Sequence, residues 1–314
     1  MIEVNLILLA MALVSAVSNS AGPSPWRGAA VIAAGTPTPA CVTGYGKGEV
    51  FGCKTAGRAY LLPVLDTGSP ISSSTGVTAG VRLMVSGPVE VDTPGAVISG
   101  LDVTGYILVN AANVTVRNVR VNAGTWGGII TTAKGSDVLI EDCEVFSTWM
   151  KGGAKGVLFD GNSGGVVRRC NIHNVEDGIY LSGNRFVVED NYVHDSEAHG
   201  EDPHTDSIQI SAGTSNVVVR GNNFAYGDND SSAFTVGNNE GPVDNIRLEN
   251  NIFAGGGYTV RCDGRGPYPI TNISIIGNRI ARGVYGYTSF DGRCVPAFEK
   301  NSNLANGVLL TPSN

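Results

Sequence analysis

The feature that most constrains this 314-residue chain is a repeat that takes over near residue 95. The segments ANVTVRNVRV (112–121), SDVLIEDCEV (136–145), GVVRRCNI (165–172), FVVEDNYV (186–193), SNVVVRGNNF (215–224), DNIRLENNIF (244–253) and TNISIIGNRI (271–280) share one pattern. Each has two apolar residues in alternation, in most cases a turn-forming Asn, Asp or Gly, and a closing apolar residue. The closing positions are Val121, Val145, Ile172, Val193, Phe224, Phe253 and Ile280, at spacings of 24, 27, 21, 31, 29 and 27. A second short run accompanies each unit, from GIITT at 128 through GIYLSG at 178 and SIQISAG at 207 to YGYTSF at 285. Brief alternation bounded by Gly, Asn and Asp specifies strands. No stretch after residue 20 keeps a helical period.

Strands recurring at these spacings, with connections too short for crossover helices, stack as a solenoid in which each residue sits ~4.8 Å above its equivalent. The expected fold is therefore all-β, a single-stranded right-handed parallel β-helix with an N-terminal cap. The hairpin turn signals that a sandwich needs are absent. The seven closing residues should form one inward stack, because the apolar positions keep a common register across coils of different length. The expected organisation is a signal-like apolar segment over 1–21, a Pro/Ala/Gly-rich linker and N-cap over 22–60, the β-helix over 61–293, and a tail or cap over 294–314.

The first segment has an apolar run from Leu6 to Val17 followed by small residues, which suits a secretory signal cleaved near Ser20 or Ala21. Its leading residues carry Glu3 and no Lys or Arg, so a retained anchor or assembly segment is the rival. The six cysteines (41, 53, 143, 170, 262, 294) show no zinc-like spacing, and their even number suits an oxidising destination. Cys143 and Cys170 each stand two residues before a closing position in consecutive coils, so register puts their Cα atoms ~5 Å apart, within disulfide range. Cys41–Cys53 is expected from local proximity, and Cys262–Cys294 by elimination. With 16% charged residues and a net charge of −7, the chain lacks the basic surface that nucleic acid requires. An acidic glycan is not excluded, since a bound cation can bridge two anions.

All four histidines, His173, His194, His199 and His204, fall in the stretch from Cys170 to Gly213. Nine acidic residues and one base, Arg185, lie between His173 and Asp206. These are the side chains most used for proton transfer and metal binding near neutral pH. The longest coil, between Val193 and Phe224, carries the insertion HDSEAHGEDPHTDS, and sites on solenoids sit where insertions project. In SIQI, Ile208 and Ile210 should point inward, leaving Gln209 outward beside Asp206, with Tyr180 in the equivalent place one coil earlier. Trp126 and Trp149 either extend that face as stacking platforms or plug the space under loops.

The segments NVTVRNVRV, DGIYLSGNRFVVEDNYVHD and HTDSIQISAGTSNVVVRGNNF resemble the pectate-lyase-like superfamily of right-handed β-helices, over roughly residues 60 to 293. The likeness is greatest to β-helix repeat proteins of secreted actinobacterial type and to tail proteins of actinobacterial phages. The resemblance implies a fold that hosts lyases, hydrolases, epimerases and non-catalytic spikes alike. His204-Thr205-Asp206 resembles the Asn-Thr-Asp segment of polygalacturonase-type glycosidases, with Asp177 supplying the second carboxylate such enzymes need. That family's Gly-His-Gly and Arg-Ile-Lys segments are missing. Asp202-Pro203-His204 is similar to the Asp-Pro-His of mannuronan epimerases, although His199 stands where a tyrosine is expected. Stacked acids also suit Ca²⁺, which in pectate-lyase-like enzymes neutralises a uronate; Asp177, Asp206 and Glu201 would hold it.

The sequence thus nominates Asp177, Asp206, His204, Asp202 and His173 for catalysis, and Tyr180, Gln209, His199, Glu201, Arg185, Trp149, Trp126 and Lys151 for substrate. Two functions follow as expectations. One is an extracellular protein that cleaves or remodels a polysaccharide through the Asp/His cluster. The other is a non-catalytic phage minor tail or tailspike-like protein that attaches to a cell-surface glycan. Many β-helix spikes are trimers, so a homotrimer with virion tail components as partners belongs to the second. Asp177 and Asp206 precede equivalent strands, so stacking should bring their carboxylates within roughly 5–9 Å.

Overall fold

The computed structural model describes residues 54–55, 58–59, 68–148, 153–196, 205–225 and 231–312. The expected N-cap falls outside them except for a two-stranded antiparallel pair, Lys54–Thr55 with Arg58–Ala59. From Met84 onward the chain winds as a parallel β-helix with three strands per coil. Sheet 1 stacks nine strands from Val89–Val91 to Gly286–Gly292, and sheet 3 stacks ten from Met84–Ser86 to Ser302–Asn303. Sheet 2 runs between them in each coil, from Val97–Ser99 to Ala297–Glu299. In two coils a single long strand, Lys155–Arg168 or Ile179–Glu189, passes through sheets 1 and 2 without a break.

The expected stack is present. Val121, Val145, Ile172, Val193, Phe224, Phe253 and Ile280 pair in register along sheet 3, and each is fully buried. Inward Val, Ile and Leu columns from all three sheets meet them in one core along the axis. Phe224 and Phe253 stack with ring centroids 5.2 Å apart, so the phenylalanines align as the aliphatic residues do.

The corner between sheets 2 and 3 shows how sequence makes the coil. One residue there adopts a left-handed backbone: Asn118, Asp142, Arg169, Asp190, Gly221, Asn250, Gly277 or Lys300. Asn, Asp and Gly bear that conformation at least cost. The residue after it turns inward, giving a buried column of Val119, Cys143, Cys170, Asn191, Asn222, Asn251, Asn278 and Asn301. The asparagines form a continuous ladder. From Asn222 onward each Oδ1 accepts the backbone N–H and the Nδ2 of the asparagine one coil earlier, at 2.9–3.0 Å, and Asn191 Oδ1 accepts the Cys170 N–H at 2.9 Å.

Cys143 and Cys170 extend this ladder as free thiols, which corrects the expected disulfide. Residues stacked in register have parallel Cα–Cβ bonds, so their Cβ atoms stay about one rung (~4.8 Å) apart. A disulfide needs ~3.5–4.5 Å and converging side chains. The thiols donate instead to backbone carbonyls, Cys143 to Glu141 at 3.2 Å and Cys170 to Arg168 at 3.4 Å. Cys262–Cys294 is bonded, with Cα atoms 6.0 Å apart; Cys41–Cys53 lies outside the described residues.

Two features lay beyond the repeat. Residues 68–80 run down the outside of sheet 3, against the direction of winding. Pro70 O accepts from Asn223 Nδ2, Gly76 N donates to Arg169 O, and Thr78 N donates to Asn118 Oδ1. At the other end, Leu310 N donates to Asn301 O and Thr288 Oγ1 to Pro312 O, folding the tail over the last coil. Among the described residues no helix is long and apolar enough to cross a membrane.

Candidate functional site

The corner where sheet 3 hands over to sheet 1 must turn in little space, and small residues line it. A Cβ added to Gly128, Gly156 or Gly178 would meet Val145, Ile172 or Val193 of the inward stack at 2.6, 2.5 and 2.4 Å. The preceding residue of each therefore faces outward. A Cβ at Gly127 would instead meet Ile130, on the outer side of sheet 1, at 2.7 Å. This outward corner column reads Gly127, Lys155, Asp177, Asp206, Ser232, Tyr258 and Gly286 in successive coils; strand register pairs Gly127 with Lys155, Asp206 with Ser232 and Tyr258 with Gly286 directly, and the other steps follow from the pairs Val157–Ile179, Ile179–Ile208 and Phe234–Val260 two residues on. Beside it on sheet 1 runs a second outward column, Ile130, Leu158, Tyr180, Gln209, Thr235 and Arg261.

Asp177 and Asp206 thus stand on adjacent rungs of one face, as their equivalent positions imply. Both are buried, at 2% and 7% exposure. Asp177 Oδ1 accepts the Asp206 backbone N–H at 3.2 Å, and Asp206 Oδ1 accepts the Ser232 N–H at 3.0 Å. Lys155 Nζ, one rung below, closes directly on Asp177 Oδ2 and lies 5.0 Å from the centre of the Tyr180 ring. Burial, with the Asp177 charge beside it, drives the Asp206 carboxyl up to about 8. The Ser232 N–H and the Arg261 and Lys155 charges only partly oppose this, so the site favours the protonated form of Asp206. Lys155, Asp177 and Asp206 thus occupy three successive rungs, the amine in contact with the first carboxyl and the second carboxyl one rung above it.

Around this core, Tyr180 and Gln209 are half-buried on the outer side, as expected, and Trp126 stands just before Gly127, 52% exposed and so no plug. His173 sits elsewhere, on the outer face of sheet 3. There Phe146, His173 and His194 stack at 5.4 and 5.2 Å, and His173 Nε2 meets Glu144. Arg185 lies at the corner between sheets 1 and 2, paired with Asp137 at 3.1 Å. Asp202, His204, His199, Glu201, Trp149 and Lys151 lie outside the described residues. For Ca²⁺, Lys155 already occupies Asp177 Oδ2, and no group of three or more His, Cys, Asp or Glu among the described residues is placed to hold a metal ion. Arg261 carries weight that motif matching missed, whereas Lys155 is one of the bases that fringe the acidic stretch in sequence. Superposing GVLFDG on GIYLSG puts Lys155 one rung from Asp177, which is where the signal for it lay.

Comparison with curated proteins finds none that matches the chain. The family described as right-handed β-helix region matches residues 95–224 and again 153–280, offset by about two coils as a stacked repeat allows. Together these matches run from 95 to 280, more than half of the sequence, and this chain belongs to the right-handed β-helix family.

Proposed function

We propose that the protein is an extracellular β-helix rod that attaches to a cell-surface glycan, as a surface or virion-tail component. The observation that carries this reading is the state of the two carboxylates. Glycosidic chemistry needs an acid and a base that reach the sugar, whereas Asp177 and Asp206 are buried and their oxygens are held by Lys155 and two backbone N–H groups. What faces outward beside them is a ring, an amide, a hydroxyl and a guanidinium, namely Tyr180, Gln209, Thr235 and Arg261, suited to holding a polar ring without transforming it. The Cys262–Cys294 bond supports an oxidising destination.

Cleavage or remodelling of a polysaccharide is the second reading, favoured by one feature: Asp206 is a protonated acid beside an ionised group, the division of labour of acid–base enzymes. A glycan panel incubated with and without EDTA separates the two. Attachment predicts retention of a glycan with no new reducing ends or unsaturated sugars, weakened by Tyr180→Ala together with Gln209→Ala. Product formation that disappears in Asp206→Asn would establish the enzyme.

A further inference from the structure

We propose that Lys155 and Asp177 condense into an intramolecular isopeptide bond, with Asp206 as the proton-transfer catalyst, so that two successive coils become covalently stapled. The amine and the acyl group are already in contact across adjacent rungs, and the acyl group has almost no access to water. Condensation of an amine with a carboxylic acid fails in water because hydration competes and the partners are dilute. Fixed contact in a dry site removes both obstacles, since oriented neighbours react as though enormously concentrated.

The surrounding groups match the steps. Proton transfer within the contact converts the Lys155 ammonium and the Asp177 carboxylate into a neutral amine and a neutral acid. The Nζ lone pair then attacks Asp177 Cγ, and the Nζ–Cγ bond forms as the C=O electrons move onto Oδ1. That oxygen already accepts the Asp206 backbone N–H, which stabilises the developing oxyanion. The Asp206 carboxyl stands one rung above. It passes its proton to the Oδ2 hydroxyl and takes one from Nζ, and so ends as it began. Collapse of the intermediate restores the carbonyl and breaks the Cγ–Oδ2 bond, and one water leaves. No oxidant or reductant enters, and the product is a secondary amide between the rungs at 155 and 177. Tyr180, under Lys155 Nζ, limits where the amine can move.

Intact mass spectrometry of the full chain, denatured and with its disulfides reduced, tests this directly. The wild type should be lighter than its polypeptide by one water, and digestion should release a branched peptide joining residues 155 and 177. Lys155→Arg and Asp206→Ala should both restore the full mass. Asp177→Asn should lose ammonia instead of water and reach the same final mass as the wild type. A wild type at full mass overturns the proposal. So does a water loss that persists in Lys155→Arg, because Asp177-Gly178 can lose water alone by forming a succinimide.

Discussion

Replacing Asn222 by alanine should cost far more than its conservative size suggests. Asn222 is 1% exposed, and its side chain is bonded on every side. Nδ2 donates to the carbonyls of Val188 and Arg220 at 2.9 and 3.0 Å and to Asn251 Oδ1 at 2.9 Å. Oδ1 accepts from Asn191 N and Nδ2, both at 2.9 Å. Asn222→Ala orphans the buried Asn191 N–H, at about 2 kcal/mol, and strips donors from two carbonyls at about 1 kcal/mol each. The sum is about 4 kcal/mol before any cavity term. Cys170→Ala, in the same column, loses only weak S–H contacts at 3.4 and 3.9 Å, and about 1 kcal/mol is expected. Urea unfolding reads the difference as a shift in midpoint at constant slope. Because coils of a solenoid interact chiefly with their neighbours, amide exchange should quicken around Asn191 and Asn222 while the coils at Val103 and Val121 stay protected. If Asn222→Ala costs no more than Cys170→Ala, the ladder is not what holds this corner.

Three further outcomes follow. Asp206 keeps in the folded chain, up to about pH 8, a proton that an unfolded aspartate releases near 3.8, so stability should fall as pH rises between those values; Asp206→Asn should flatten that slope, and an unchanged slope in pH-dependent unfolding would place the proton elsewhere. Burial works against the His173 imidazolium, but Glu144 and Asn174 outweigh it and raise the pKa, whereas in His194 burial prevails over Asp195 and lowers it. An NMR titration should therefore place His173 above 6.5 and His194 below, and the reverse order would contradict the stacked geometry. Along the edge of sheet 2 the charges alternate as Arg117, Glu141, Arg168, Glu189, Arg220 and Glu249, and Glu189 takes both contacts of Arg220 at 2.9 and 2.6 Å. Glu189→Gln should cost about 0.5–1 kcal/mol by calorimetry and Glu189→Lys more, because it aligns three cations; equal effects would show that the alternation is incidental.

The fold was legible because its cause is one-dimensional. A closing residue every coil fixes the inward stack whatever the loops do, so Val121 to Ile280 could be placed from spacing alone. The side-by-side columns were harder, because one short motif does two jobs. In VEDNYV and LENNIF the first turn residue, Asp190 or Asn250, bends the backbone, while the next, Asn191 or Asn251, points inward and carries the ladder. Composition describes both as turn formers. The same blurring produced the mistaken cysteine pair: Cys143 and Cys170 occupy the ladder position, where stacking sets a separation that hydrogen bonds tolerate and disulfides do not. The strap over 68–80 has no period at all, and its docking on Asn223, Arg169 and Asn118 depends on tertiary contacts that no local pattern encodes.

The site divides along the same line. That Asp177 and Asp206 share a face follows from register, and register was readable. Which way that face points was not, because it depends on the corner. A strand keeps strict alternation, so Asp177 ought to share the side of Ile179 and face the core. The chain breaks that rule at Gly178, where only a glycine fits under Val193, and the break turns the column outward. Alternation fails at glycine corners because the constraint there comes from the opposing sheet and not from the strand itself. His173 and Arg185 illustrate the converse. Both lie close to Asp177 in sequence, yet each belongs to a different side of the prism, His173 with Glu144 on sheet 3 and Arg185 with Asp137 beyond sheet 1. In a solenoid, nearness along the chain places residues around the axis, whereas nearness in coil position stacks them. Lys155 is 22 residues from Asp177 and touches it, and the chemistry of this corner rests on that contact.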